Sequence, residues 1–233
     1  MTESVTPVTA RAHAFVDDLD APVLSADDHR HFTRVLRLSE GADVTVSNGR
    51  GEWRACRLQV QPSLLVKSQV VSEAAPSPPV TVAFALVKGE RPELVVQKLT
   101  EVGVDRIVPF VAERSVVLWD PEKAEKNAAR WREIVRQAAM QCRRTWLPAV
   151  SGLVPFADVV ALPGAVRAAP GGAPPSLASP TILVGPEGGW SPAEAAVDLP
   201  TVGLGPHVLR AETAAITAGA IFAALRSGLI ATV

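Results

Sequence analysis

The chain has 233 residues, with 23 Lys and Arg against 24 Asp and Glu, and two cysteines. That length suits one large domain or two small ones, and a chain of this size buries roughly 70–75% of its unfolded surface, so its core requires no staple. A net charge of −1 gives no global sign of a nucleic-acid partner. Cys56 and Cys142 stand far apart without CxxC spacing, which fits a reducing cytosol and argues against a disulfide or zinc framework. The first residues lack the apolar core of a leader, and no apolar run approaches 18 residues, so a soluble, cytoplasmic protein without metal is expected.

Residues 11–72 read as a β-rich unit. A strand is expected over 11–16, and Ser25-Ala26-Asp27-Asp28 is a suitable cap for a short helix through 29–36. Residues 42–47 alternate around Val44 and Val46, and Asn48-Gly49 supplies a tight hairpin turn into a strand over 52–60, with another over 64–71. Short strands at this spacing suggest a small barrel, a common platform for nucleic acid. Arg34 and Arg37, one turn apart on the short helix, are either a solvated face or phosphate contacts. Residues 74–79, with three prolines, read as a linker between a first domain over 1–73 and a second over 80–233.

From Val80 the pattern becomes alternating strand and helix. A buried strand over 80–87 ends at Lys88-Gly89, a helix with Pro92 in its first turn stops at Gly103, and residues 106–111 form the next strand. Strand, helix and strand at this length predict a right-handed parallel crossover. Lys88 and Arg114 fall just after strand ends, on the side of an α/β sheet where ligands gather.

A long helix is expected over 121–142, because Trp131, Ile134, Val135, Ala138 and Cys142 recur on one face. Cys142 there reads as a small core residue. Arg132, Arg136 and Arg143 fall within about 40° on a wheel of roughly 100° per residue. With Lys126, Arg130 and Arg144 they outnumber the single acid Glu133, a pattern that suits either a phosphate backbone or plain solvent. Residues 151–180, rich in Ala, Pro and Gly, read as a mobile loop without chemistry.

Two strand–loop units close the chain. Ile182-Leu183-Val184 breaks into Gly185-Pro186-Glu187-Gly188-Gly189, and Val202-Gly203-Leu204 breaks into Gly205-Pro206-His207. An Ala-rich helix over 213–225 follows Arg210-Ala211-Glu212. Glycine lets a backbone approach a ligand closely, and loops at strand carboxyl ends are where ligands bind in α/β sheets. No GK[ST] follows the glycines and no GxGxxG opens a helix, so neither a phosphate loop nor a dinucleotide fingerprint is present. An enzyme for another nucleotide and a non-catalytic RNA-binding or ribosome-assembly module are the competing readings.

GPEGGW, with the LGxxxLRxET formed by Leu204, Gly205, Leu209, Arg210, Glu212 and Thr213, resembles the bacterial 16S rRNA (uracil-N3)-methyltransferases, of the SPOUT trefoil-knot class. HxHFxRVLRLxxG from His29 to Gly41, QKLTEVGVDRIVPF from Gln97, ERS at Glu113 and QCRRTWLP from Gln141 stand in the family's order. His207 departs from the pattern, in which Arg is the commoner residue. The resemblance implies a PUA- or OB-like β-barrel followed by an α/β domain with a parallel sheet and a C-terminal trefoil knot. It also implies a homodimer acting on 16S rRNA of the small subunit. S-adenosylmethionine is implied at the knot loops, bound by Leu183, Val184, Gly185, Pro186, Glu187, Gly188, Gly189, Leu204, Gly205, Val208, Leu209, Arg210 and Thr213. Arg210, Glu187 and Glu212 become the candidate catalytic residues. Arg34, Arg37, Lys88, Arg114, Arg132, Arg136, Arg143 and Arg144 become the candidate RNA contacts.

Overall fold

The computed structural model describes residues 5–87, 91–115 and 119–231. The chain divides into two compact units, one of residues 1–75 with 136–147, the other of 76–135 with 148–233. The expected division near residue 74 therefore needs one correction: residues 136–147 pack with the N-terminal unit.

In the first unit, β1 (Ala12–Phe15) lies parallel to β2 (Asp43–Ser47), and β3 (Glu52–Arg57) runs antiparallel to β2. Between β1 and β2, α1 (Ala26–Arg30) is capped by Ser25, whose Oγ accepts from the Asp28 N–H at 3.0 Å. One π turn, His31–Val35, follows, closed by the Leu36 N–H on the His31 carbonyl. Arg37 has φ 54°, so the helix ends before it and Arg34 and Arg37 do not share a helical face. The β2–β3 turn is set by Asn48, whose Oδ1 accepts from the N–H of Arg50 at 2.8 Å.

The single strand expected over 64–71 is two short ones, β4 (Leu65–Val66) and β5 (Val71–Ser72), both paired with β3. Ser68 breaks it: its Oγ takes the Ala55 N–H at 2.9 Å, and its carbonyl accepts from Nε and Nη2 of buried Arg54. The strand path is β1-β2-β3-β4, with β5 also on β3. Among the described residues the strands of this unit form one five-stranded sheet. Its core gathers Phe32, Val44, Val46, Cys56, Leu58 and, from the 136–147 segment, Met140. Burial pushes the Cys56 thiol up to about 11, which leaves it an inert apolar side chain.

The second unit is a seven-stranded, wholly parallel sheet. In chain order it comprises β6 (Thr81–Ala85), α2 (Arg91–Val102), β7 (Arg106–Val111), the start of α3 (Pro121–Cys142), β8 (Ala149–Val150), β9 (Val154–Pro155) and α4 (Phe156–Val160). Then come β10 (Ala165–Ala173), β11 (Thr181–Val184), α5 (Pro192–Ala195), β12 (Thr201–Val202) and α6 (Ala211–Arg226). The spatial order is β12-β10-β11-β6-β7-β8, with β9 also on β7. The fully buried run Thr81–Ala85 is the signature of a strand covered on both faces.

Residues 151–180 are not the expected loop; β9, α4 and the nine-residue β10 occupy them. Ala, Pro and Gly are poor strand formers, and here position overrides propensity, because β10 lies between β11 and β12. Its pairing with β12 is irregular between Ala168 and Ala173. There a Cβ on Gly172 would stand 2.6 Å from the Val202 backbone, so only glycine fits.

α3 serves both units: Trp131 is buried in its first part and Met140 in its last turn. It ends in a Schellman-type closure, with the Arg143 N–H on the Met140 carbonyl, the Arg144 N–H on Ala139, and Arg143 at φ 63°. Arg143 and Arg144 are consequently off the helix, and the expected alignment of Arg132, Arg136 and Arg143 does not form. Cys142 is half-buried at the helix end. Among the described residues no helix is long and apolar enough to cross a membrane, and no group of three or more His, Cys, Asp or Glu could hold a metal ion.

Candidate active site

The sheet delivers two loops at strand carboxyl ends: residues 185–191 after β11 and residues 203–210 after β12. They wall a cavity of about 450 Å³, together with the middle of β10 and the start of α6. That volume lies within the range of small-molecule sites, roughly 300–1,000 Å³. Of the predicted binding residues, Val184, Gly185, Pro186, Glu187, Gly189, Leu204, Gly205, Val208, Leu209 and Arg210 line it. Leu183 does not; it is fully buried in the sheet core with Phe110 and Val159. Gly188 and Thr213 are also off the wall. Gly188 offers its carbonyl to Arg114 Nη1 at 3.1 Å, and Thr213 is exposed in the first turn of α6.

The sequence reading missed Ala168, Ala169 and Pro170 of β10, along with Trp190, Ala211 and Ala214. The first three lay in the segment read as a loop. Trp190 had a signal, as the aromatic ending GPEGGW. It stacks on Phe110 (centroids 6.1 Å apart, planes at 3°), with the Arg167 guanidinium 5.9 Å from its ring. Gly185 packs on the same ring, and a Cβ there would meet the indole at 2.9 Å.

Behind the loop is a buried polar frame. Ser191 and Glu194 form a capping box on α5, and Glu194 Oε1 also accepts from the Glu113 N–H at 2.8 Å. Arg167, buried on β10, donates to the carbonyls of Glu194 at 2.7 Å and Ala195 at 3.2 Å. Glu113, at the head of the ERS stretch, thus ties the end of β7 to the glycine-loop helix through its backbone.

The three candidate catalytic residues occupy different settings. Arg210 is the N-cap of α6 but makes no side-chain capping bond, and its guanidinium is exposed at the cavity wall. Glu187 is on the wall, with Oε1 3.4 Å from Arg91 Nη1. Glu212 is off the wall; its side chain is 13% exposed and its Oε1 lies 3.7 Å from Arg91 Nε. His207 lines the cavity and is exposed.

The arginines expected to touch RNA divide sharply. Arg34 and Arg37 are exposed on the first unit. Arg132 is exposed and leans toward Glu125 at 3.4 Å. Arg136 instead forms a two-pronged pair with buried Asp28 (Nη1–Oδ1 3.1 Å, Nη2–Oδ2 2.5 Å). Arg143 Nη1 donates to the carbonyls of Pro7 and Val8. Arg144 is half-buried. Lys88 lies outside the described residues.

A parallel α/β sheet with glycine loops at its carboxyl edge, preceded by a small β unit, matches known proteins along most of the chain. A family model described as an RNA methyltransferase domain matches residues 74–223, and one described as an RNA methyltransferase PUA domain matches residues 24–64. The class is therefore an RNA methyltransferase with a PUA-like N-terminal unit. Ribosomal RNA small subunit methyltransferase E of Mycobacterium tuberculosis (strain CDC 1551 / Oshkosh) is 33% identical over 218 residues, covering 84% of this chain and 83% of that protein. The Bacillus subtilis (strain 168) protein of that name is 32% identical over 232 residues, covering 85% and 89%. The crystal structure of the Neisseria gonorrhoeae protein bound to S-adenosyl methionine matches with a TM-score of 0.75 at 26% identity, over 93% of this chain and 97% of that one. The chain belongs to the ribosomal RNA small subunit methyltransferase E family.

Proposed function

We propose that this protein uses S-adenosylmethionine to methylate N3 of a uridine in the RNA of the small ribosomal subunit. The carrying observation is the cavity itself, where the glycine loops after β11 and β12, the two strands flanking β10, meet beside Arg210 and Glu187. Its wall fits the cofactor. Gly185, Gly189 and Gly205 expose backbone groups for adenine edges, while Val184, Leu204 and Leu209 offer apolar surface to the ring faces. The bound cofactor supplies an electrophilic methyl group on a sulfonium sulfur.

Neutral uracil carries a proton on N3, and that proton must leave before or during attack. Arg210 donates a hydrogen bond to a uracil carbonyl oxygen as negative charge develops there. Glu187 or Glu212 accepts the proton or orients Arg210. The walls hold the two reacting groups in line, which lowers the entropic part of the barrier.

The first unit and exposed Arg34, Arg37 and Arg132 supply RNA contacts, with Arg114 at the edge of the glycine loop. The protein works as a cytoplasmic homodimer. In support, α6 is apolar around most of its circumference, and Val208 and Leu229 beside its two ends are 90% and 80% exposed. A C-terminal trefoil knot belongs to the same reading, on the resemblance of the glycine-loop motifs; the close passage of Gly172 against Val202 is the pairing of β10 with β12.

The test combines methyl-labelled S-adenosylmethionine with small subunits from cells lacking the uridine-N3 modification, followed by digestion and chromatography of nucleosides. Label in 3-methyluridine is expected. Label in another nucleoside rejects the N3 assignment, and RNA binding without cofactor binding favours a non-catalytic module.

A further inference from the structure

Arg91, the first residue of α2, belongs to none of the motifs that mark the cavity. It nonetheless stands between two carboxylates delivered by different loops. Its Nη1 is 3.4 Å from Glu187 Oε1, after β11, and its Nε is 3.7 Å from Glu212 Oε1, in the first turn of α6. Among the described residues neither carboxylate has another ion-pair partner. Glu212 is mostly buried, and its second oxygen, Oε2, is enclosed without a hydrogen-bond partner among the described residues. Enclosing a carboxylate away from water is costly unless a counter-charge stands nearby.

We propose that Arg91 is a positioning residue for methyl transfer, holding Glu187 and Glu212 at a fixed separation across the two loops. The inference rests on placing those carboxylates in the reaction. Three observations support it. The guanidinium faces one carboxylate on the cavity wall and one in the first turn of α6, two residues after Arg210, so it links the elements whose alignment the reaction needs. It presents a different nitrogen to each, which a planar fork does and the point charge of an ammonium does not. At these distances it locks bidentately onto neither, so it spaces the pair rather than silencing one member.

The experiment compares wild type, Arg91→Gln, Arg91→Lys, Glu212→Gln and the double variant Arg91→Gln/Glu212→Gln. It reads urea denaturation, calorimetric S-adenosylmethionine binding, and steady-state methyl transfer to unmodified small subunits. In Arg91→Gln, kcat is expected to fall roughly 10- to 100-fold, as misplacement of catalytic groups does, with KM for RNA and cofactor affinity changed less than about threefold. Arg91→Lys should recover part of that loss, and Glu212→Gln should restore stability lost in Arg91→Gln. An unchanged kcat overturns the proposal. A loss confined to KM for RNA makes Arg91 a phosphate contact, and a loss confined to cofactor affinity makes it a cofactor contact; either overturns it too. Additive stability effects in the double variant also reject it. Should Arg91→Gln fail to fold, Arg91→Lys decides, since full kcat in that variant rejects a two-pronged spacer. Wild type that methylates no uridine at N3 refutes the reaction assignment instead, and the stability comparison still tests the clamp.

Discussion

Arg210 begins α6 with its side chain turned away from capping duty, leaving a guanidinium at the cavity wall. Removing one donor aimed at developing charge costs roughly 100- to 1,000-fold in kcat. Arg210→Ala should show that loss in the labelling assay, with an unchanged denaturation midpoint; full turnover in a folded protein would end the proposed role. His13 illustrates a residue whose importance is purely structural. Buried on β1, with Nδ1 2.9 Å from Thr45 Oγ1, it is pushed by burial from 6.5 down to about 4. Its neutral form belongs to the native state, whereas the unfolded chain takes up a proton near 6.5. The associated stability is therefore whole above about pH 6.5 and drains away as pH falls toward 4, by about 3 kcal/mol. Urea midpoints at pH 7, 5.5 and 4.5 should fall less steeply in His13→Gln than in wild type. Glycines at the strand ends were legible because close backbone approach needs a residue without a Cβ. Glu187 and Glu212 were legible as the carboxylates standing next to those glycines and Arg210. Burial of a histidine follows from partners distant in sequence, and nothing in residues 11–16 encodes it.

At the scale of elements, α3 shows where periodicity stops being informative. The wheel that aligned Arg132, Arg136 and Arg143 assumed a helix running past Cys142, but Arg143 turns left-handed there. Arg136 is spent on Asp28, a carboxylate only 3% exposed. Arg136→Ala leaves that carboxylate buried without its counter-charge, with only the Ser25 hydroxyl among the described residues donating to Oδ2, which should cost about 3 kcal/mol in urea denaturation. Arg132→Gln, by contrast, should leave stability within about 0.5 kcal/mol and lower the salt slope of RNA binding by about 1. An unaltered slope would make that face plain surface. β10 was hidden for another reason: its Ala, Pro and Gly are neither strand-forming nor alternating, and only its place between β11 and β12 explains it. Gly172→Ala should disturb the β10–β12 crossing and with it the cavity, read as a lowered denaturation midpoint accompanied by weakened S-adenosylmethionine binding. A substitution tolerated in both measures would mean the crossing can relax.

For the whole molecule, the division into a β unit and an α/β unit was legible because a proline-rich segment separates two patterns of hydrophobic spacing. That the first unit borrows residues 136–147 was not, since a helix sequence states which face is apolar and not which core receives it. The loan has a consequence for the order of synthesis. When residue 75 leaves the ribosome, the first core still lacks Met140 and Asp28 still lacks its arginine. The intervening stretch 76–135 takes about 3–12 s to translate at ordinary bacterial rates. Ribosome-bound chains stalled soon after residue 75 should remain protease-sensitive in their N-terminal part, and chains long enough to expose residue 147 should become resistant. The domain translated first is thus completed only after much of the second has been made.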